Sequence, residues 1–153
     1  MANVAILMGS ESDRSVMKAT EDVLDQMGVD YETHVISAHR NPEQLMKYVT
    51  SADEKGIKVF IAGAGGAAAL PGAIASWTSL PVIGVPVASS ELKGIDALYA
   101  IVQMPPGIPV AGVAIGSWGA RNAAYLATQI IGLTDNNARQ AYDSYRDGLK
   151  NKS

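Results

Sequence analysis

Five short strand-like segments, four of them free of polar residues, each leading through a polar or glycine-rich loop into a helical pattern, restrict this 153-residue chain more than any other feature. Val4-Ala5-Ile6-Leu7-Met8 is the first run, and Gly9 ends it. Residues 59–62, 81–85 and 110–115 form the other apolar runs, and residues 31–36, which include Glu32, Thr33 and His34, form the remaining strand segment. Runs of four to eight apolar residues with no polar alternation suit strands buried on both faces. Between them the apolar positions return at helical spacing. Val16, Met17, Val23, Leu24 and Met27 follow Asp13, with Gly28 as the stop. Asn41-Pro42 opens the second helix with proline at its first position, and Gln44 stands where a capping box needs it. A short helix runs to about residue 77 after the glycine-rich segment. A fourth covers about 95–103, with Leu98, Ile101 and Val102 on one side, and a fifth covers 120–131. The tail at 135–150 carries Ala138, Ala141, Tyr142, Tyr145 and Leu149 as a stripe.

Repeated βα units with short connections imply an α/β fold, a parallel sheet covered by helices on both faces. The expected architecture is a three-layer, flavodoxin-like or Rossmann-like domain. Its five-stranded sheet has order 2-1-3-4-5, followed by a C-terminal helix. One domain is expected over residues 1–153, with a core of about 3–133.

Composition narrows the function. With 48 % hydrophobic and 18 % charged residues, some surface is expected to be hidden in an oligomer. The 12 Lys and Arg residues are dispersed and the formal net charge is −3, which argues against a nucleic-acid partner. The absence of cysteine removes disulfides and thiolate chemistry, and two histidines make a His-based metal site improbable. The longest apolar stretch, 59–75, is broken by glycines and Pro71, and the start Met-Ala-Asn-Val-Ala lacks the basic segment expected of a signal peptide. A cytosolic protein with no membrane partner is expected.

Ligands on such sheets bind at the carboxyl ends of the strands, and the chemistry-bearing residues lie in those loops. Ser10, Ser12 and Asp13 follow the first strand. Hydroxyls and opening helix N–H groups suit an anion, and Asp13 suits ribose hydroxyls, although helix capping alone would also explain Ser12 and Asp13. Ser37, Ala38, His39 and Arg40 follow the second. Histidine titrates near neutrality and can give or take a proton, and the planar guanidinium suits phosphate. His34, within the second strand, reads as a structural or edge residue. Gly63 to Gly72 follows the third strand. Gly65 and Gly66 let backbone approach a flat ligand closely. The segment formally satisfies a dinucleotide fingerprint, yet it follows the third strand and lacks the acid at the next one. A receiver domain would need an acid where Ala62-Gly63 stands, and a flavodoxin would need a Thr-rich phosphate loop.

Together, Met8-Gly9-Ser10-x-Ser12-Asp13, Ser37-Ala38-His39-Arg40-x-Pro42, Ala62 through Ala68 with Leu70-Pro71-Gly72, and Ile101-Val102-Gln103-Met104-Pro105 resemble the class I N5-carboxyaminoimidazole ribonucleotide mutase (PurE) family of purine biosynthesis. The resemblance runs from about residue 4 to 131. It implies an isomerase that moves a carboxylate from the exocyclic nitrogen of the ribonucleotide to carbon four of its imidazole, through CO2 held in the site. No cofactor and no metal are implied. His39 matches the family's acid/base, and Ser10, Asp13 and Arg40 match its nucleotide-binding residues. Ala69 and Leu70 belong to the loop facing base and CO2. The family's homo-octamers would place the 103–109 loop and the terminal helix against neighbouring subunits. Where the family loop reads Ala-Ala-His-Leu-Pro-Gly, this chain has Ala69. Ala73, Ala88 and Ala97 also replace more usual Met, Gln and Ser. Ala69 raises the alternative of a divergent paralogue with weak or no mutase activity acting on another nucleotide or carboxylated substrate, and a non-catalytic nucleotide-binding or assembly protein is a third reading.

Overall fold

The computed structural model describes residues 1–152. Its sheet has five parallel strands, β1 (Val4–Met8), β2 (Tyr31–Val35), β3 (Val59–Gly65), β4 (Val82–Val87) and β5 (Ala111–Gly112), in the order β2-β1-β3-β4-β5. Six α-helices connect and follow them: α1 (Arg14–Met27), α2 (Pro42–Ser51), α3 (Ala69–Trp77), α4 (Ile95–Val102), α5 (Ser117–Ile131) and α6 (Asn136–Lys150). The expected architecture and strand order are what the chain adopts.

Period-two alternation along the strands divides the core into two layers. Val4, Ile6, Met8, Val59, Ile61, Ile83 and Val85 pack beneath α1 and α5. Ala5, Leu7, Phe60, Ala62, Ala64 and Val82 face the opposite way, toward α2, α3 and α4. β1, β3 and β4 are buried throughout apart from Gly65, which is why their sequences show no polar alternation. The stripe on α6 docks on this chain's own core. Ala138 is buried, and Tyr145 stacks on Tyr125 at 4.5 Å between ring centroids.

Several local expectations change. A 3-10 turn at Glu11–Asp13 precedes α1, and Gly28 takes the left-handed conformation (φ 68°) that ends it. Pro42 does begin α2, but the capping box does not form, because Asn41 donates its side-chain amide to the Gln44 side chain. β3 continues to Gly65, so the first half of the glycine-rich segment is strand and the turn begins at Gly66. Both leading glycines of the apparent dinucleotide fingerprint therefore lie in the sheet, where a phosphate turn cannot form. β5 spans two residues where six were expected. In a parallel ladder the N–H and C=O of one residue face the same neighbour. Gly84 and Pro86 accept from Val113 N–H (3.3 Å) and Gly116 N–H (2.9 Å), so both face β5. Pro86 has no N–H to donate, and the ladder stops there.

Candidate functional site

The order β2-β1-β3 reverses chain direction across the sheet at β1, leaving a crevice beyond the carboxyl ends of the strands. A cleft of about 390 Å³ lies there. Gly9, Ser10, Ser12, Asp13, Ser37, Ala38, His39 and Arg40 line one side. Ala64, Gly65, Ala68, Ala69, Leu70 and Ser89 line the other. Every residue assigned to the site from the sequence except Gly66 borders it.

The β1 and β2 loops are tied to each other. Arg40 donates through Nη2 to the Gly9 carbonyl at 3.0 Å, and its backbone N–H and Nε donate to Ser37 Oγ at 3.1 and 3.3 Å. The guanidinium is thus aimed across the mouth of the β1 loop without a carboxylate partner among the described residues. Ser10 Oγ accepts from the Ser12 N–H at 3.3 Å and from the Ser12 hydroxyl at 3.0 Å. Asp13 is the one buried carboxylate of the chain's described residues, 6 % exposed, at the start of α1. Burial pushes its carboxyl above the usual range, opposed by a hydrogen bond from the Ser10 backbone. A buried acceptor without a cationic partner is suited to bonding neutral hydroxyls. His39 stands exposed on the turn after β2, and among the described residues no hydrogen bond holds its imidazole.

The other wall is shaped by backbone. A Cβ on Gly65 would lie 2.0 Å from Ser89 Oγ and 3.0 Å from the Val87 carbonyl oxygen, so only glycine fits. Gly66 (φ 60°) and Ala68 (φ 44°) both take left-handed conformations and turn the chain into α3. For alanine that conformation is strained, a feature typical of backbone held for function. Gly66 makes the turn and does not line the cleft. Gly9, Ala64 and Ala68, which belong to the quoted motifs but were given no site role, do line it, as does Ser89, which was not singled out in the sequence. Ser89 carried one available signal: it is a hydroxyl in the loop after β4, at the same end of the sheet as the others.

His34 lies on β2 away from the cleft, 3.4 Å from Glu32 and packed on Tyr48 at 4.6 Å between ring centroids. Tyr48 donates to Glu32, which holds the Glu32 carboxyl below its usual range. This is the structural role expected of His34. Among the described residues no cluster of His, Asp and Glu could hold a metal ion, and no helix is long and apolar enough to cross a membrane.

Fold and cleft define a doubly wound α/β protein with a cleft at its topological switch point, where sheets of this kind bind their ligands. A model of the family described as AIR carboxylase matches residues 3–152. A protein of Vibrio parahaemolyticus named N5-carboxyaminoimidazole ribonucleotide mutase is 57 % identical over 144 residues, covering 94 % of this chain and 89 % of the relative. One of the same name from Saccharolobus solfataricus is 51 % identical over 151 residues, covering 99 % and 94 %. The crystal structure of Treponema denticola PurE matches with a TM-score of 0.88 at 30 % identity, covering 97 % and 92 %. The chain belongs to the AIR carboxylase family.

Proposed function

We propose that the chain converts N5-carboxyaminoimidazole ribonucleotide to 4-carboxy-5-aminoimidazole ribonucleotide. The observation that carries the reading is the meeting of the Ser10–Asp13, Ser37–Arg40 and Gly65–Leu70 segments around one cleft, in a chain whose relatives bear the mutase name. Arg40, Ser37, Ser10 and Ser12 take the phosphate, Asp13 the ribose hydroxyls, and the Gly65 wall the imidazole and CO2. The carbamate C–N bond breaks and leaves its electron pair on the exocyclic nitrogen and, by conjugation, on carbon four. CO2 is retained and carbon four bonds to it. His39 takes the proton from carbon four and returns one to the nitrogen, so the net change is an isomerisation. Retention of CO2 depends on keeping bulk water out.

The divergent-paralogue alternative raised by Ala69 finds no support in relatives that carry the mutase name at 50 to 57 % identity. A homo-octamer in the cytoplasm accompanies the reading. Its support is the exposed apolar side of α4 (Ile95, Tyr99, Val102) with Trp118, 75 % exposed, and Leu133. The outer face of α6 and the 103–109 loop would also meet neighbouring subunits.

Purified protein should convert the carbamate substrate while His39→Asn, which keeps bulk and loses the base, slows kcat by about 10²- to 10⁴-fold without loss of binding. Absorbance of substrate and product read the rate. Wild-type protein with no turnover above the buffer rate, under conditions where the folded oligomer is present by light scattering, overturns the assignment.

A further inference from the structure

The polar side chains of the cleft are distributed unevenly. Ser10, Ser12, Asp13, Ser37, His39 and Arg40 crowd the β1 and β2 end. Ala64, Gly65, Ala68, Ala69 and Leu70 offer no side-chain donor at the other. Ser89 is the one polar side chain on that wall. The hydroxyls of Ser10 and Ser37 already accept hydrogen bonds within their own loops, and that of Ser12 donates within its loop. The hydroxyl of Ser89 has no partner among the described residues. Its place is also built into the sheet. Gly65 pairs with Val87, Ser89 lies two residues farther along, and the missing side chain of Gly65 leaves the space that Ser89 Oγ borders.

A carboxylated ribonucleotide carries anions at both ends. Arg40 is the one cation lining the cleft and stands at the β1 and β2 end, so the phosphate belongs there and the carboxylate reaches the β3 and β4 end. A neutral donor suits a group that is an anion before and after the reaction and neutral CO2 between. A cation would hold the anions tightly and do little for CO2. We propose that Ser89 donates its hydroxyl to the migrating carboxylate and keeps CO2 beside carbon four. The assignment rests on the proposed mutase reading. If CO2 escapes, the exocyclic nitrogen takes a proton and uncarboxylated aminoimidazole ribonucleotide is released.

The test uses the intact protein with substrate labelled with ¹³C in its carboxylate, in unlabelled bicarbonate. Ser89→Ala should lower kcat by about tenfold or more. It should also release uncarboxylated ribonucleotide and put unlabelled carbon into the product, with Ser89→Thr restoring retention in part. Calorimetry should show Ser89→Ala losing about tenfold in affinity for the 4-carboxy product and none for the uncarboxylated ribonucleotide. Unchanged label retention, or equal affinity changes for the two ligands, overturns the assignment whatever happens to kcat. Turnover by wild type is read separately. If wild type neither turns over nor binds either ligand, the mutase reading falls and the Ser89 assignment with it.

Discussion

The two walls of the cleft are built by opposite means. On the β1 and β2 side, side chains make the surface, and Arg40 is held by Ser37 and the Gly9 carbonyl in an exposed loop. On the β3 side the surface is backbone, and what matters is the side chain that Gly65 lacks. The first wall can lose atoms and leave the fold intact. The second cannot gain them. A site that recognises charge can therefore be tuned on one side by truncation, whereas the other side is tied to the packing of β3 on β4.

The contrast is broken most forcefully by Gly65→Ala. Its new Cβ meets Ser89, which can move, and the Val87 carbonyl, which cannot. A loss of roughly 1–3 kcal/mol in chemical denaturation is expected, with activity falling in parallel. Arg40→Ala should leave the denaturation midpoint almost unchanged and raise KM by about tenfold or more, the value of a charge-assisted hydrogen bond to an anion. Equal damage to stability would mean that the loop depends on Arg40 as much as the ligand does.

Asp13→Asn sharpens the same contrast in the opposite direction. Burial raises the Asp13 carboxyl, so its ionised form disfavours the fold. Its contribution to stability is fully present below the unfolded value of 3.8 and is lost as pH rises through the raised folded value. The Asn variant should gain about 2 °C in Tm at neutral pH, a gain that vanishes in acid, while losing affinity for the ribonucleotide. Differential scanning calorimetry across pH reads both limbs. The smallest effect is expected at Ala68→Gly. Relief of the left-handed strain at φ 44° should stabilise the chain by up to about 1 kcal/mol in urea. A loss instead would show that the methyl, buried against the α3 face, outweighs the strain.

β1, β3 and β4 were legible because burial on both faces leaves a plain mark, as in Val59-Phe60-Ile61-Ala62. The loops after β1 and β2 were legible because hydroxyls, Asp13, His39 and Arg40 stand in short segments at one end of the sheet. Most of what could not be read depended on neighbours distant in sequence, and one local detail on a competing side-chain hydrogen bond. The length of β5 is decided by Pro86 on the adjacent strand. Gly65 rather than Gly66 lines the cleft because of the pairing with Val87. The capping box at Asn41 had the right spacing, but Asn41 and Gln44 bonded each other. Ser89 sits in an ordinary-looking loop and gains its position only when β4 is laid beside β3.

Pro86 has a consequence for the behaviour of the molecule in a crowded solution. A sheet with an open lateral strand can recruit the same strand from another molecule and grow into a fibre. By cutting off the β4–β5 ladder, this one imino acid leaves β5 two residues long, too short to template such growth. Aggregation through that side of the sheet is thus opposed by a residue that never touches the exterior strand's own outer margin.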